Sequence, residues 1–451
     1  MKNIISALGI SLSICTAVSF MNVNPVLASE APVVKTIVVS DITYSGNIKM
    51  SNEQIGWLLP ELKKGTIDVA TLSRQIQFAN DSGAVNLAVN FNMDKMGHAT
   101  AVVTSKEKAT DYTFLSMDNT GNKQTGDYRS TLTYINTNTS KKADTIGLSY
   151  VTSPDHINDV SQAAVFYRML LPKLGDSLYL TYTYSDVDMG RIAQVGTFGI
   201  DATGKGTSYG LHYQKNLDYK PTHRSSVDFG VDNSKYDNDT SVSSGGSYIG
   251  KIGTGKVDTT MLTLSYSDTT RSQNNAFTYN VGYSRNVGGN TADYDRLAVD
   301  KNFGIVRYGL NYQHKYQSDW ITSLKVNGQY TSNNMISQAK LGEGGLNTVR
   351  GFAEQVVQGD QGITSNLEFY SPEIAKGQRL VVFVDYAQLS NNRPSTGELT
   401  SGSLASVGLG WRYGDENGWN GRLDYGFVVE GKEYNLNQDK GRLHIAVSKK
   451  L

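Results

Sequence analysis

Most residues of this chain that could do chemistry are placed where none can follow. Gly199 to Gly206 approximates a phosphate-cradling loop with Gly204-Lys205 near its end. Gly206 stands where the Ser or Thr of such a loop belongs, and no strand-to-helix context surrounds it, so a hairpin connection is expected there. His98, His156, His212, His223, His314 and His444 are scattered, with no metal-ligand spacing. Asp186-Val187-Asp188 and Asp237-Asn238-Asp239 could hold divalent cations but read as solvated acidic loop tips. No nucleophile and base stand together, so the chain reads as neither an enzyme nor a cofactor or metal carrier. One arginine is different. Arg350 lies in Gly344-Gly345-Leu346-Asn347-Thr348-Val349-Arg350-Gly351-Phe352, a loop rich in residues that tolerate left-handed backbone. Such a loop can fold back and carry its arginine into a cavity. A buried guanidinium then needs a carboxylate, because an unpaired buried charge is very costly. Asp385, in Phe383-Val384-Asp385-Tyr386-Ala387, is a candidate.

The elements that must position this pair are β-strands. Gly is high at 45 residues, Tyr very high at 27 and Pro low at 8, with modest hydropathy. That mixture suits a transmembrane β-barrel, in which only alternate residues face lipid. The formal net charge is zero, which excludes a general basic field and with it nucleic acid as a partner. Beyond residue 28 no apolar run approaches the ~18–20 residues of a spanning helix. Residues 1–28 read as an export signal: Lys2 supplies the positive start, Ile4 to Phe20 the apolar core, and Val26-Leu27-Ala28 a cleavage site ending at Ala28. Cys15, the only cysteine, lies inside it, so the mature chain has no thiol chemistry. Little chain remains between this signal and the first domain for an N-terminal plug. Export plus barrel composition implies a bacterial outer membrane, with its lipid as the surrounding solvent.

Residues 33–108 form a small α+β domain. Thr36 to Val39 is a candidate strand, and Ser51 with Gln54 a capping box. Ile55, Leu58, Leu59 and Leu62 fall on one helical face that Pro60 interrupts. Asp68 can cap a second helix with Val69, Leu72, Ile76 and Ala79 as its stripe. Val85, Leu87, Val89 and Phe91 alternate with polar neighbours, and Ala99 to Thr104 gives a further strand.

From about residue 111 to 451 the period is two. Trp320, Thr322, Leu324, Val326 and Tyr330 share one face, and Leu423, Tyr425, Phe427 and Val429 oppose Arg422, Asp424 and Gly426. Aromatics at strand ends fit an interfacial girdle. Strands are expected near 362–371, 378–387, 403–413, 419–429 and 441–450, with eleven or twelve before the Arg350 loop, 111–117 being ambiguous; the even total that bacterial barrels require selects eleven. An even total of sixteen follows, and an odd number of strands after the loop puts its origin at the cell surface. On the strand of Asp385, Leu380, Val382, Val384 and Tyr386 face lipid. Phe383, Asp385 and Ala387 therefore face inward, where a partner for Arg350 must be.

These motifs resemble the outer-membrane exporters of two-partner secretion systems, the transporters of haemolysins and filamentous haemagglutinins. That family carries a GG-x-x-S-V-R-G-F/Y loop, a GD-x-G element and an F/G-x-D-x-G strand. Here Gly345, Val349, Arg350, Gly351 and Phe352 match the loop, with Thr348 for Ser. Gly359, Asp360 and Gly362 match the second element, and Phe383 and Asp385 the third, with Ala387 in place of Gly. The resemblance implies an inward-folding loop over 341–361 whose Arg350 pairs with Asp385 inside the lumen. Met117-Asp118-Asn119-Thr120-Gly121 with Thr125-Gly126-Asp127-Tyr128-Arg129 resembles the family's opening at the junction of periplasmic domain and barrel. The order strand, helix, helix, strand, strand of the first domain resembles a POTRA module, of which the family usually has two. Leu451 departs from the Phe or Trp ending that barrel-assembly machinery reads.

The implied function is an ATP-independent pore that secretes a large, unfolded, β-rich partner of haemagglutinin, haemolysin or adhesin type. The partner would be bound by the POTRA domain and the lumen, and the barrel-assembly machinery would insert the transporter. Two other readings fit less well. A Bam-type assembly factor also has POTRA domains and an inward loop, but typically several POTRA copies; a passive porin needs neither.

Overall fold

The computed structural model describes residues 36–47, 50–95, 98–195, 198–244, 247–394, 398–434 and 440–451. The export-signal expectation, including cleavage at Ala28, lies outside the described residues.

The first unit is a four-stranded sheet with two helices. It runs β1 (Thr36–Asn47), α1 (Asn52–Leu58), a 3-10 turn Pro60–Lys64, β2 (Thr66–Asp68), α2 (Val69–Asn80), β3 (Val85–Met93) and β4 (Ala99–Glu107). Both caps read from sequence form. Ser51 Oγ accepts from Gln54 N while Gln54 Oε1 accepts from Ser51 N, and Asp68 accepts from Thr71 N. Pro60 ends α1 and starts the tighter turn. The sheet order is β2-β1-β4-β3, with β1 parallel to β4. Ile55, Leu58, Leu59, Leu62, Leu72 and Phe78 fill the space between sheet and helices.

The rest of the chain is a closed antiparallel barrel of sixteen strands. Eleven precede the Arg350 loop, from Asp111–Asp118 to Ile321–Tyr330. Five follow: Gln361–Tyr370, Gln378–Ser390, Ser401–Gly414, Trp419–Glu430 and Gly441–Lys450. One strand is interrupted. Ser247–Thr254 and Val257–Arg271 both pair with His223–Ser244, with Gly255 and Lys256 bulging between them. Alternation sends Leu, Val, Tyr and Phe outward. Leu380, Val382, Val384 and Tyr386 are exposed on the outer wall, while Phe383, Asp385 and Ala387 are at most 1% exposed inside.

The first unit docks on one barrel end. Phe78 meets Tyr219 edge-on with ring centres 5.4 Å apart, and Arg224 pairs with Asp81 at 2.7 Å. Leu170, near the end of the strand Val160–Leu171, and Ala143, in a connection at that end, join the core of the first unit. The Arg350 loop leaves from the opposite end, as the strand parity requires. Two sequence expectations change here. The Asp118-to-Arg129 segment connects the first strand to the second at the outer end, away from the domain junction. The motif expected at the junction of domain and barrel thus lies one strand further on, past the outer end of Asp111–Asp118. Gly199–Gly206 and the two acidic triplets run within long strands, Asp176–Val195, Phe198–Tyr219 and His223–Ser244, instead of forming connections or loop tips. Extended pairing past the membrane, where neither face needs to be apolar, hides these strands from a hydrophobic pattern.

Candidate functional site: a loop anchored in the lumen

Residues 331–360 leave the eleventh strand, fold back into the barrel and return to the twelfth. Three devices shape the loop. A short hairpin pairs Leu341–Glu343 with Val357–Gly359. Gly344, Gly345 and Gly351 adopt φ of +106°, +113° and +93°, which any side chain would strain. Gly344 N donates to Thr348 Oγ1 at 2.9 Å, so the threonine hydroxyl closes the turn before Arg350. Gly351 lies against the backbone of Gly426, where a Cβ on either residue would come within 2.8 Å of the other chain segment. The tip thus rests directly on the inner wall.

Arg350 is 1% exposed and sits at the centre of a charge cluster. Its Nε donates to Asp385 Oδ2 at 2.7 Å and its Nη2 to Asp385 Oδ1 at 2.8 Å, a two-pronged pair. Its backbone N–H donates to the same carboxylate at 3.1 Å. Nη1 donates to Glu368 Oε1 at 2.6 Å and to Asp424 Oδ2 at 3.3 Å. The Phe383 ring lies 3.4 Å below the guanidinium carbon. Burial alone would ease the proton off Arg350; bonding to Asp385 more than offsets it, so the group is held charged. Arg412 and Arg422 also bond Asp424, which balances the carboxylates of the cluster. Asn366 Nδ2 bridges Asp385 and the carbonyl of Thr348, at 2.8 and 2.5 Å.

The remaining motif residues hold the loop's flanks. Val349, Phe352 and Val357 pack with Ala387, Leu389, Leu404 and Val428 in an apolar cluster on the inner wall. The methyl of Ala387, where the family motif has Gly, lies within it. Gly359 and Gly362 press against the thirteenth strand: a Cβ would lie 2.9 Å from Leu389 Cβ and 2.4 Å from Gln388 O respectively. Asp360 is fully buried at the neck and accepts from Met335 N at 3.0 Å and Asn392 N at 2.9 Å. Two loop carboxyls are buried as well, and burial pushes both Glu343 and Glu354 up to about 7.

The structure therefore brings Arg350 and Asp385 together and adds partners that were not singled out. Glu368, Asp424 and His444 all face the lumen, as does Gly426. Gly351 N donates to His444 Nε2 at 3.0 Å, so this imidazole acts as an acceptor. Alternation alone placed Asp424 and Gly426 on the inner face; that they lie beneath the loop tip depends on how far the loop reaches. No group of three metal-ligating side chains occurs among the described residues.

Residues 97–413 match the family model for haemolysin secretion/activation proteins of the ShlB/FhaC/HecB type. A search of curated proteins finds no sequence match. Among solved structures the chain is similar to CdiB from Escherichia coli and CdiB from Acinetobacter baumannii. Each is 15% identical with a TM-score of 0.75 over 92% of this chain, and the matches span 76% and 74% of those chains. It is also similar to BamA from Haemophilus ducreyi lacking POTRA domains 1–3, at 14% identity and a TM-score of 0.58, covering 92% of this chain and 85% of that one.

Proposed function

Because this chain belongs to the ShlB/FhaC/HecB family of outer-membrane two-partner secretion transporters, which export a large partner protein, we propose a route for that partner through this barrel. The carrying observation is that the Arg350 end of the loop is anchored to one side of the lumen, with partners on the twelfth to sixteenth strands. The neck, at Met335 and Ile336, packs instead with Val257, Tyr294 and Ile305. The opposite wall is mostly polar: Tyr179, Thr181, Gln214, Ser226, Ser265 and Ser267 line a cavity of about 360 Å³ with His212 and Asp228. An unfolded chain can slide along such a wall, because hydroxyls exchange hydrogen bonds with a moving backbone.

Capture in the periplasm falls to the first unit, a POTRA-like domain. On β3, and on β1 beyond Val38, one edge has no strand beside it among the described residues. An extended client can add there as a further strand. At the outer end the strands spanning residues 176–271 rise past their neighbours. The fourth strand pairs with the fifth only as far as Val187, and the ninth meets the eighth only from Met261. Among the described residues no strand pairs with this blade beyond Asp188 on one side or before Lys256 on the other, while residues 256–260 are covered by Asn286, Val287, Tyr294 and Arg296. No nucleotide is needed if folding outside the cell gives direction. Arg350, Asp385 and the residues around them hold the loop aside and in register while the client passes.

The surface and culture-medium proteome with and without this chain tests the reading. Loss of one very large β-rich protein, with its precursor degraded in the periplasm, is the expected result. Loss of many unrelated outer-membrane proteins would overturn it in favour of an assembly factor, and no loss in either fraction in favour of a passive pore.

A further inference from the structure

The Asp118-to-Arg129 segment has no part in the route just described, yet its first residues lie where the barrel closes on itself. The first and sixteenth strands pair over Phe114–Asp118 and Ala446–Lys450. At the periplasmic end Leu451 N donates to Thr113 O at 2.8 Å. At the outer end the first strand stops while the sixteenth continues to Gly441. A sheet edge left open there would expose main-chain groups of Ile445 and Leu443 to lipid, where no water can satisfy them.

Asn119 fills that place. Its backbone N donates to Ile445 O at 3.2 Å. Its own carbonyl turns away from the ladder and accepts from Arg442 Nη2 at 3.3 Å. The side-chain carboxamide takes over. Oδ1 accepts from Ile445 N at 2.9 Å and Nδ2 donates to Leu443 O at 2.8 Å. One planar amide thus supplies the acceptor and the donor that the next stretch of strand would have supplied. The loop beyond is braced so that Asn119 stays put. Arg129 Nη1 donates to the carbonyl of Gly126 at 2.9 Å and its Nη2 to Thr125 Oγ1 at 2.5 Å, and Gly121 N donates to Asp127 O at 3.1 Å. A Cβ on Gly121 would lie 2.0 Å from Gly126 O, so the fold of this turn admits only glycine there.

We propose that Asn119 is a seam fastener: its carboxamide extends the ladder between first and last strands past the end of the first strand and keeps the barrel shut to the membrane. The geometry demands an amide. An aspartate keeps the acceptor for Ile445 N and loses the donor to Leu443 O; an alanine loses both. The same strand is held from inside by Gly351 N on His444, so its outer half is fastened on two sides. A closed seam suits a pore whose cargo must stay in the lumen. The fastener itself is independent of which cargo that is.

The test is hydrogen exchange of the full-length protein in micelles, read on peptides covering 441–450, 111–118 and, as a remote control, 378–390. Asn119→Ala is expected to raise exchange in 441–447 roughly thirtyfold, the effect of losing two hydrogen bonds of ordinary net strength. The control should not change, and Asn119→Asp should fall between. The matching rescue is a disulfide across the seam. Ser116 and Ser448 are register partners, and the chain has no cysteine after Cys15. Ser116→Cys with Ser448→Cys, oxidised in the Asn119→Ala background, should restore protection, and reduction should abolish it. Unchanged exchange in 441–447, or a rise shared by 378–390 that the disulfide leaves in place, would overturn the proposal.

Discussion

Removing Arg350 and Asp385 singly and together separates an anchoring pair from a merely buried one. Arg350→Ala leaves the Asp385 carboxylate, 0% exposed, with only Asn366 Nδ2 and the loop's own backbone N–H. Breaking a buried pair in this way costs about 3–5 kcal/mol. At about 1.4 kcal/mol per factor of ten, 4 kcal/mol shifts the docked-to-undocked ratio of the loop roughly a thousandfold. Asp385→Ala should cost less, because the guanidinium keeps Glu368 at 2.6 Å and Asp424 at 3.3 Å. Arg350→Lys should fall between, since a single ammonium cannot fill both prongs of the pair. The double alanine variant should cost well under the sum, because neither charge is then stranded. Proteinase K cleavage within 331–360 on intact cells measures docking, and appearance of the partner in the medium measures export. Singles that are additive to within about 0.5 kcal/mol, or that leave loop protection and export both unchanged, would refute the anchoring argument.

Three further perturbations address neighbouring parts of the loop. The Glu343 carboxyl is raised from its ordinary 4.5 to about 7 by burial, so its contribution to docking is complete below about 4.5 and lost as pH rises through about 7. Proteinase K protection should accordingly fall between pH 5 and 8, fall less in Glu343→Gln, where Glu354 is still raised to about 7, and be flat once Glu354→Gln is added; a Glu343→Gln curve parallel to the parent's would exclude Glu343 as a cause. Gly426→Ala puts a Cβ 2.5 Å from Gly351 N and should displace the loop tip at a cost of about 1–3 kcal/mol, with export reduced and barrel assembly, read by heat-dependent gel mobility, intact. Normal loop protection in that variant would show the contact to be slack. Asp360→Ala leaves the amides of Met335 and Asn392 without their acceptor, a loss of about 1–3 kcal/mol. New cleavage sites should map to 331–340 while the Arg350 tip stays protected; cleavage confined to the tip would contradict the neck role.

What could be read in the sequence divides along a physical line. The barrel was legible because lipid imposes period two on every spanning segment; the even-number rule then selected sixteen strands, and parity fixed which end the Arg350 loop leaves from. The inward phase of Asp385 followed from Leu380, Val382 and Val384 alone. The long strands over 176–244 were less legible because, above the membrane, both faces are wet and nothing enforces alternation. Asp186 there pairs with Lys205 across neighbouring strands at 2.7 Å, where the sequence suggested a free acidic tip. The partners of Arg350 beyond Asp385 were hidden for another reason. Glu368, Asp424 and His444 lie 18, 74 and 94 residues from Arg350 along the chain, and only the depth to which the loop descends selects them from many inward-facing polar residues. That depth is set by glycine against glycine, at Gly351 and Gly426, where two backbones touch because neither residue carries a side chain. The same logic applies at the seam: Asn119 was visible as part of a motif, but its function depends on how far short of its last neighbour the first strand stops, and no local pattern in the sequence encodes that.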